Sequence, residues 1–322
     1  MSLSSEFRRI DRVESRLTEG MIKKQLLPYY KQSLDNTRSK LATLYEKHAK
    51  DGTLRMADVS KYNRLTNLEK DIAREMGKLS GRQVNSTAKV LRDVHQESYQ
   101  RAAYGIENEL QQKLGFGQLP DKQVKAAVVN PMDRIGWGNR TKEQIGVATR
   151  QVKEEITRGI IQGKGYPEVA RSVKERMDMA AGRAERIVRT EAHRAREMGK
   201  MASLEHAADQ GILMEKMWVS ALDDRTRDSH ADLDGQTVPV YDEDGEPGMF
   251  VSPETGDEAE YPGGFGVASE DISCRCSTIA QISDHIYKER RGKEGTIPYK
   301  NYKEYAKDKG WDSPYSGAEP RV

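Results

Sequence analysis

The densest chemistry in the sequence lies between Trp218 and Gly235, in the run WVSALDDRTRDSHADLDG. Asp223, Asp224 and His230 bring two carboxylates and an imidazole close together. These are the donor types that hold a divalent metal and activate water in many nucleases. No third carboxylate stands at a recognisable spacing, which weighs against a hydrolase. The Asp232-x-Asp234-Gly235 step has the start of a calcium loop, but the flanking ligand positions and the distal Glu are missing. A Cys–His nucleophile needs a thiol beside a base and an oxyanion hole, and no local signature supports one.

Cys274 and Cys276 are the two cysteines of the chain. With His193 or His230 they supply thiolate and imidazole ligands, enough for a tetrahedral structural zinc. The Cys-x-Cys step is tighter than the usual ligand spacing. The competing reading is two small residues alternating across a strand, one buried and one exposed. A third set comprises Arg186, Arg189, His193, Arg196 and Lys200, which share one face of a helix. Such a stripe either docks on phosphate or an acidic protein surface, or is a solvated face backed by Ile187, Val188 and Met201. GKGY at 163–166 lacks the Walker pattern, so no phosphate-cradling loop is present.

These residues must be positioned by helices and a few strands. Leu27, Leu34 and Leu41 repeat at seven, with Tyr30 and Leu44 on the same stripe, which predicts a helix over about 29–48. Pro28 should start or kink it. Val59, Tyr62, Leu65, Leu68, Ile72, Met76 and Leu79 advance by threes and fours, and Leu91, Val94, Ile106, Leu110 and Leu114 continue the pattern. Narrow apolar stripes on charged helices point to paired, extended α-hairpins. Thr141 and Gln144 suit a capping box for the next helix. After the GKGYP break come one helix through Val173 and Met177 and a longer one over about 181–209. Strands follow at 214–222, at 233–241 after an Asp-Gly turn, and at 274–282. The acidic, Gly- and Pro-rich stretch 242–271 should be loop. The expected division is therefore an extended α-helical region 1–114, an irregular linker 115–140, a helix-plus-three-strand domain 141–282 and a basic tail 283–322. The fold class is mainly α with a small C-terminal α+β domain.

Composition removes several classes. The 322 residues carry 53 Lys+Arg against 51 Asp+Glu, but the signs are segregated. Residues 1–220 hold 41 basic and 29 acidic side chains, whereas 221–270 hold 2 and 14. Two kinds of surface are expected from such a chain. No run approaches the ~20 apolar residues of a membrane span. The N-terminal MSLSSEFRRIDRVESR has no apolar segment of the kind a secretory signal needs. Two cysteines make no disulfide framework, and synthesis in a reducing compartment is expected.

In order and spacing, the residues resemble the phage head morphogenesis family, the Mu F-like and SPP1-type portal-associated minor capsid proteins. The matching elements are Arg189-Thr190-Glu191, then Trp218, Asp223-x-Arg225-x-Arg227-x-x-His230-x-x-Leu233-x-Gly235, and finally Ser273-Cys274-Arg275-Cys276 after a Pro/Gly-rich loop. Together they span about residues 145–282. Many relatives are expected to carry Asn where Ser273 stands. The resemblance implies a non-enzymatic protein made in the host bacterial cytoplasm and carried in the virion, inside the head near the portal. It implies the phage portal protein as partner, with scaffold or major capsid protein and double-stranded DNA as further candidates. Head assembly and DNA retention or delivery would be its work. On that view Asp223, Arg225, Arg227 and His230 are structural, and Asp223 pairs with the two arginines to order the turn. The alternative is a metal-dependent nuclease using Asp223, Asp224 and His230.

Overall fold

A computed structural model of the chain describes residues 3–129, 136–221 and 223–282, together with Gly310. It is mainly α-helical, with a small antiparallel sheet near the C-terminal end. The expected basic tail 283–322 lies outside the described residues apart from Gly310.

Helix α1 (Leu3–Met21) passes through one π-helical segment (Ile22–Leu26) into α2 (Leu27–His48), with Pro28 in the first turn of α2. The helix is continuous here, and Leu27 N donates to the Ile22 carbonyl; Pro28 has no N–H to carry the ladder on, and the π-helical turn lies directly before that break. A short α3 (Met56–Ser60) precedes α4 (Arg64–Leu110). Then come α5 (Asp121–Val129), α6 (Trp137–Ile161) and α7 (Tyr166–Asp209). The strands and small helices of the end region are β1 (Met214–Val219), α8 (Asp228–Ala231), β2 (Thr237–Pro239), β3 (Phe250–Val251), β4 (Glu258–Ala259), α9 (Ala268–Asp271) and β5 (Ser277–Ile282). Among the described residues no helix is long and apolar enough to cross a membrane.

The chain forms two compact units that interleave in sequence. One comprises Glu19–Lys89 and Ile135–Val188; the other comprises Met1–Thr18, Val90–Arg134 and Arg189–Val322. In the first unit α2 runs antiparallel to α4. Asn36 donates to Glu75 at 3.0 Å, and Lys40 pairs with Asp71 at 3.2 Å. Helices α6 and α7 form a second hairpin, tied by Arg176 to Glu155 at 2.7 Å. The two hairpins are bonded to each other within this unit. Tyr30 Oη donates to Gln83 Oε1 at 2.9 Å and lies 3.3 Å from Gln144 Oε1. Tyr30, Leu34, Leu41 and Leu44 are buried as their spacing requires, while Leu27 stays partly exposed.

Four expectations need correction. Tyr62 is 72% exposed, because the backbone at Tyr62 and Asn63 turns to positive φ and breaks the helical register. The capping box does not form: α6 begins four residues earlier, at Trp137, and Gln144 Nε2 donates instead to the Ala180 carbonyl at 2.9 Å. The helix over 181–209 is the latter part of one helix that starts at Tyr166, since Ala180 and Ala181 favour helix and a single Gly182 is tolerated within it. The stretch 115–140 holds α5, whose Val124 and Val128 are buried, so it is not irregular throughout.

The other unit builds the sheet. Its order is β2-β1-β5, all antiparallel, with Trp218 opposite Thr278 and Met217 opposite Thr237. Phe7 and Ile10 of α1, Ala103 and Ile106 of α4, Leu204 of α7, Met214 and Ala280 form one apolar cluster. Within the acidic stretch 242–271, β3 and β4 pair with each other.

Candidate functional site

Trp218 anchors a second, smaller cluster with Leu233, Phe250, Cys274 and Cys276. It sits at the sheet's end because Gly235, at φ 80°, folds the chain back: Gly235 N donates to the Trp218 carbonyl at 2.9 Å, and Trp218 N donates to the Gln236 carbonyl at 2.9 Å. Only glycine takes that φ without steric cost. The indole N–H donates to Ser220 Oγ at 3.1 Å, and Ser220 N donates to Asp234 Oδ1 at 2.7 Å. Ser220 Oγ in turn donates to the His230 carbonyl.

His230 rides on α8 and is buried. Its ring meets the edge of Trp218 at 5.6 Å between centroids and stacks on Phe265 at 5.8 Å. Nδ1 lies 3.6 Å from Cys274 Sγ and 3.4 Å from Cys276 Sγ. On the ring's far side Glu270 Oε2 is 2.9 Å from Nε2, out of line with a hydrogen bond, and it accepts from Ser229 Oγ at 3.0 Å. The two sulfurs influence each other most strongly. The hydrogen bond between them pushes the Cys274 thiol up and draws the Cys276 thiol down, and His230 lowers Cys276 further.

Both cysteines are buried, so the reading of one buried and one exposed does not hold. Residues i and i+2 of an extended chain point to the same side. Between them, exposed Arg275 turns out to Asp223, donating to both carboxylate oxygens at 2.5 Å. Arg225 adds a third contact at 3.3 Å. These bonds, the Arg275 pair foremost, hold the Asp223 carboxyl far below the usual carboxylate range. Arg227 does not pair with Asp223; it donates to the Ile272 carbonyl at 2.5 Å and so ties the turn to the Cys segment. The triad expected of a nuclease does not assemble. Asp223 is clamped by arginines, Asp224 is exposed, and His230 is turned inward to the sulfurs.

The basic stripe is likewise divided. Arg186 and Arg189 lie on exposed turns of α7, whereas His193, Arg196 and Lys200 are buried. That lower face packs against α1 and β5, whose groups neutralise it. Lys200 Nζ donates to Ser277 Oγ at 2.7 Å, Asp11 Oδ1 at 2.8 Å and Glu197 Oε1 at 3.0 Å. Arg196 donates to Glu197 at 2.7 Å and to the Cys276 carbonyl at 3.0 Å, with Glu14 3.5 Å away. Burial alone would raise Glu197, yet Lys200 and Arg196 hold it down at about 2. His193 falls to about 4, through burial first and Arg196 second. Its Nε2 donates to the Cys276 carbonyl at 2.7 Å, which takes it out of the set facing the sulfurs.

The Arg189-Thr190-Glu191 step also meets the Cys segment. Thr190 Oγ1 accepts from Ser273 N at 3.1 Å, and buried Glu191 pairs with Arg194 at 3.2 Å. Sequence reasoning missed Asp11, Glu14, Glu197 and Glu270. The signal for Glu197 was present: an acid three residues before Lys200 shares its helix face.

Residues 150–279 match the family model described as Phage Mu protein F like protein. Over 292 residues, 89% of this chain and 92% of the other, the sequence is 33% identical to minor head protein GP7 of Bacillus phage SPP1. The chain belongs to the phage head morphogenesis family. A further relative, NAD(+)–arginine ADP-ribosyltransferase EFV of Enterococcus faecalis (strain ATCC 700802 / V583), is 36% identical over 163 residues. That similarity takes in 50% of this chain and only 32% of the other protein. No solved structure matches significantly. Within the matched stretch, Thr190 bonds to Ser273, Gly235 to Trp218, Arg227 to the Ile272 carbonyl and Ser220 to the His230 carbonyl.

Proposed function

We propose that this chain is a minor head protein that enters the phage head in few copies through contact with the portal protein. There it assists head assembly and the retention or delivery of DNA, without catalysing a reaction. The observation that carries this reading is the similarity to minor head protein GP7, which runs through the helical half and the sheet-bearing half alike. Scaffold and major capsid proteins are the further partners, and the virion is the final location. The non-enzymatic reading draws on the motif itself, where Asp223 is engaged by Arg275 and His230 faces the cysteines. The ADP-ribosyltransferase relative is matched over only about a third of its own length.

A DNA contact would use the basic surplus of residues 1–220, with Arg186 and Arg189 as its exposed members on α7. Phosphate contacts of that kind are salt-dependent. The deciding experiment is co-expression with the cognate portal protein followed by affinity capture. A stable complex is expected, and Asp224→Asn should leave it and head assembly unchanged. Absence of any complex, together with Mg²⁺-dependent DNA cleavage abolished by Asp224→Asn, overturns the proposal. Duplex binding at low salt that ignores charge reversal of Arg186 and Arg189 removes the DNA part.

A further inference from the structure

The cluster of His230, Cys274 and Cys276 has the dimensions of a metal centre. One ligand atom from each, all buried, lies within 4.8 Å of the other two. In a tetrahedral zinc site Zn–S is about 2.3 Å and Zn–N about 2.0–2.1 Å, so a sulfur and a nitrogen ligand stand roughly 3.6 Å apart. The observed separations are 3.6 Å and 3.4 Å. Hydrogen bonding uses this geometry poorly, because the single lone pair of Nδ1 can accept from one thiol only. A cation serves all three donors at once.

The surroundings suit the same reading. Ligation through Nδ1 leaves the proton on Nε2, which lies 2.9 Å from Glu270 Oε2 but out of line; a small turn of either side chain would complete the carboxylate support usual for a metal-bound histidine. Two thiolates and a neutral imidazole make a zinc complex with no net charge. That suits a pocket walled by Trp218 and Phe265. The short Cys-x-Cys spacing is no obstacle, since Arg275 turns outward to Asp223 and both sulfurs point inward.

We propose that His230 Nδ1, Cys274 Sγ and Cys276 Sγ bind one zinc ion, with a water in the fourth position, and that the ion clips α8 to the segment entering β5. Binding releases the protons of the two thiols to solvent and changes no oxidation state. The buried position gives the ion a structural part, independent of whether the protein engages a portal.

The test uses the full chain, purified under reducing conditions, with zinc and cobalt(II) as probes. About one zinc per chain by elemental analysis is expected, and cobalt(II) loading should give the intense absorption of thiolate-to-metal charge transfer. Zinc should shield both thiols from a thiol reagent, and chelation should expose them. Glu270→Gln keeps every ligand and is expected to weaken zinc binding about 10–100-fold. The double variant Cys274→Ser/Cys276→Ser should bind none. A folded wild-type chain that holds no zinc and gives no cobalt–thiolate band overturns the proposal, as does zinc that persists in the double variant. The wild-type readouts decide the matter even if the double variant fails to fold.

Discussion

Lys200 Nζ and Glu197 Oε1 lie 3.0 Å apart on one helix, and neither side chain reaches solvent. Two buried ions on a single helix would be costly alone, because each loses its hydration. Here they are shared: Asp11 takes a second bond from Lys200, Arg196 takes the same Glu197 oxygen, and Thr278 N and Oγ1 donate to the other oxygen at 3.2 Å and 2.7 Å. The network joins α1, α7 and β5 within one unit.

Glu197→Gln should therefore be among the most damaging single substitutions in the chain. It leaves Lys200 and Arg196 short of compensating charge, and breaking a buried pair from one side costs about 3–5 kcal/mol. The wild type also carries an acid limb. Because the folded-state value of Glu197 lies below its ordinary value of 4.5, its contribution is full above that pH. It is lost as pH falls from 4.5 towards 2. Urea unfolding across that window should show a slope in the wild type that the variant lacks; parallel slopes would refute the assignment.

Gly199 and Gly182 sit on the same helix and should respond to alanine in opposite directions. A Cβ at Gly199 would run into the His95 carbonyl of α4 and come within 2.9 Å of Ser98 Cβ, whereas one at Gly182 meets nothing within 4 Å. Gly199→Ala should cost at least about 1–3 kcal/mol through overpacking. Gly182→Ala should gain about 0.5–1 kcal/mol by removing backbone freedom from the unfolded chain. Thermal melts of the two variants beside the wild type check the sign of each.

Ser273 occupies the left-handed region at φ 60°. Its backbone N–H donates to Thr190 Oγ1, so the conformation is part of how the Cys segment meets α7. Left-handed backbone costs an ordinary residue roughly 1–2 kcal/mol, and Asn tolerates it best after glycine. Ser273→Asn should stabilise the chain by up to about 1 kcal/mol, and Ser273→Val should destabilise it. Equal melting temperatures for the two variants would show that the turn relaxes freely.

A left-handed backbone at position 273 is one that the Asn expected there from the family resemblance would tolerate. Other parts of the fold are legible from residue types in the same way. Seven-residue repeats mark the buried face of α2, and the Asp-Gly step marks the turn into β2. What stays hidden in a linear chain is partnership across distance. Arg196 and Lys200 look like solvated residues until α1 places Glu14 and Asp11 against them, 182 and 189 residues away in sequence. Arg225 and Arg227 stand two and four residues from Asp223 in the chain, yet Arg275, fifty-two residues on, forms the bidentate pair. Periodicity reports which face is apolar; it does not report which charges a buried face will meet.

Asp271 supplies a pH response of the opposite sign to that of Glu197. Its carboxylate accepts from Phe265 N at 3.1 Å and Gly266 N at 2.8 Å, fixing the loop that covers His230. Burial nevertheless raises its value to about 6, outweighing those two bonds and the pull of Arg194. A carboxyl raised on folding binds its proton more tightly in the native state. Its stabilising share is complete below the ordinary value of 3.8 and is lost as pH rises from there through about 6. Two pH units correspond to about 3 kcal/mol. Asp271→Asn carries no proton to lose, although its amide can satisfy only one of the two backbone donors. The stability difference between wild type and variant, measured by urea unfolding between about pH 4 and 7, should therefore shift against the wild type as pH rises. A difference that stays constant over this range would mean that the Asp271 carboxyl is already ionised at the acid end and that the loop, not the proton, sets its worth.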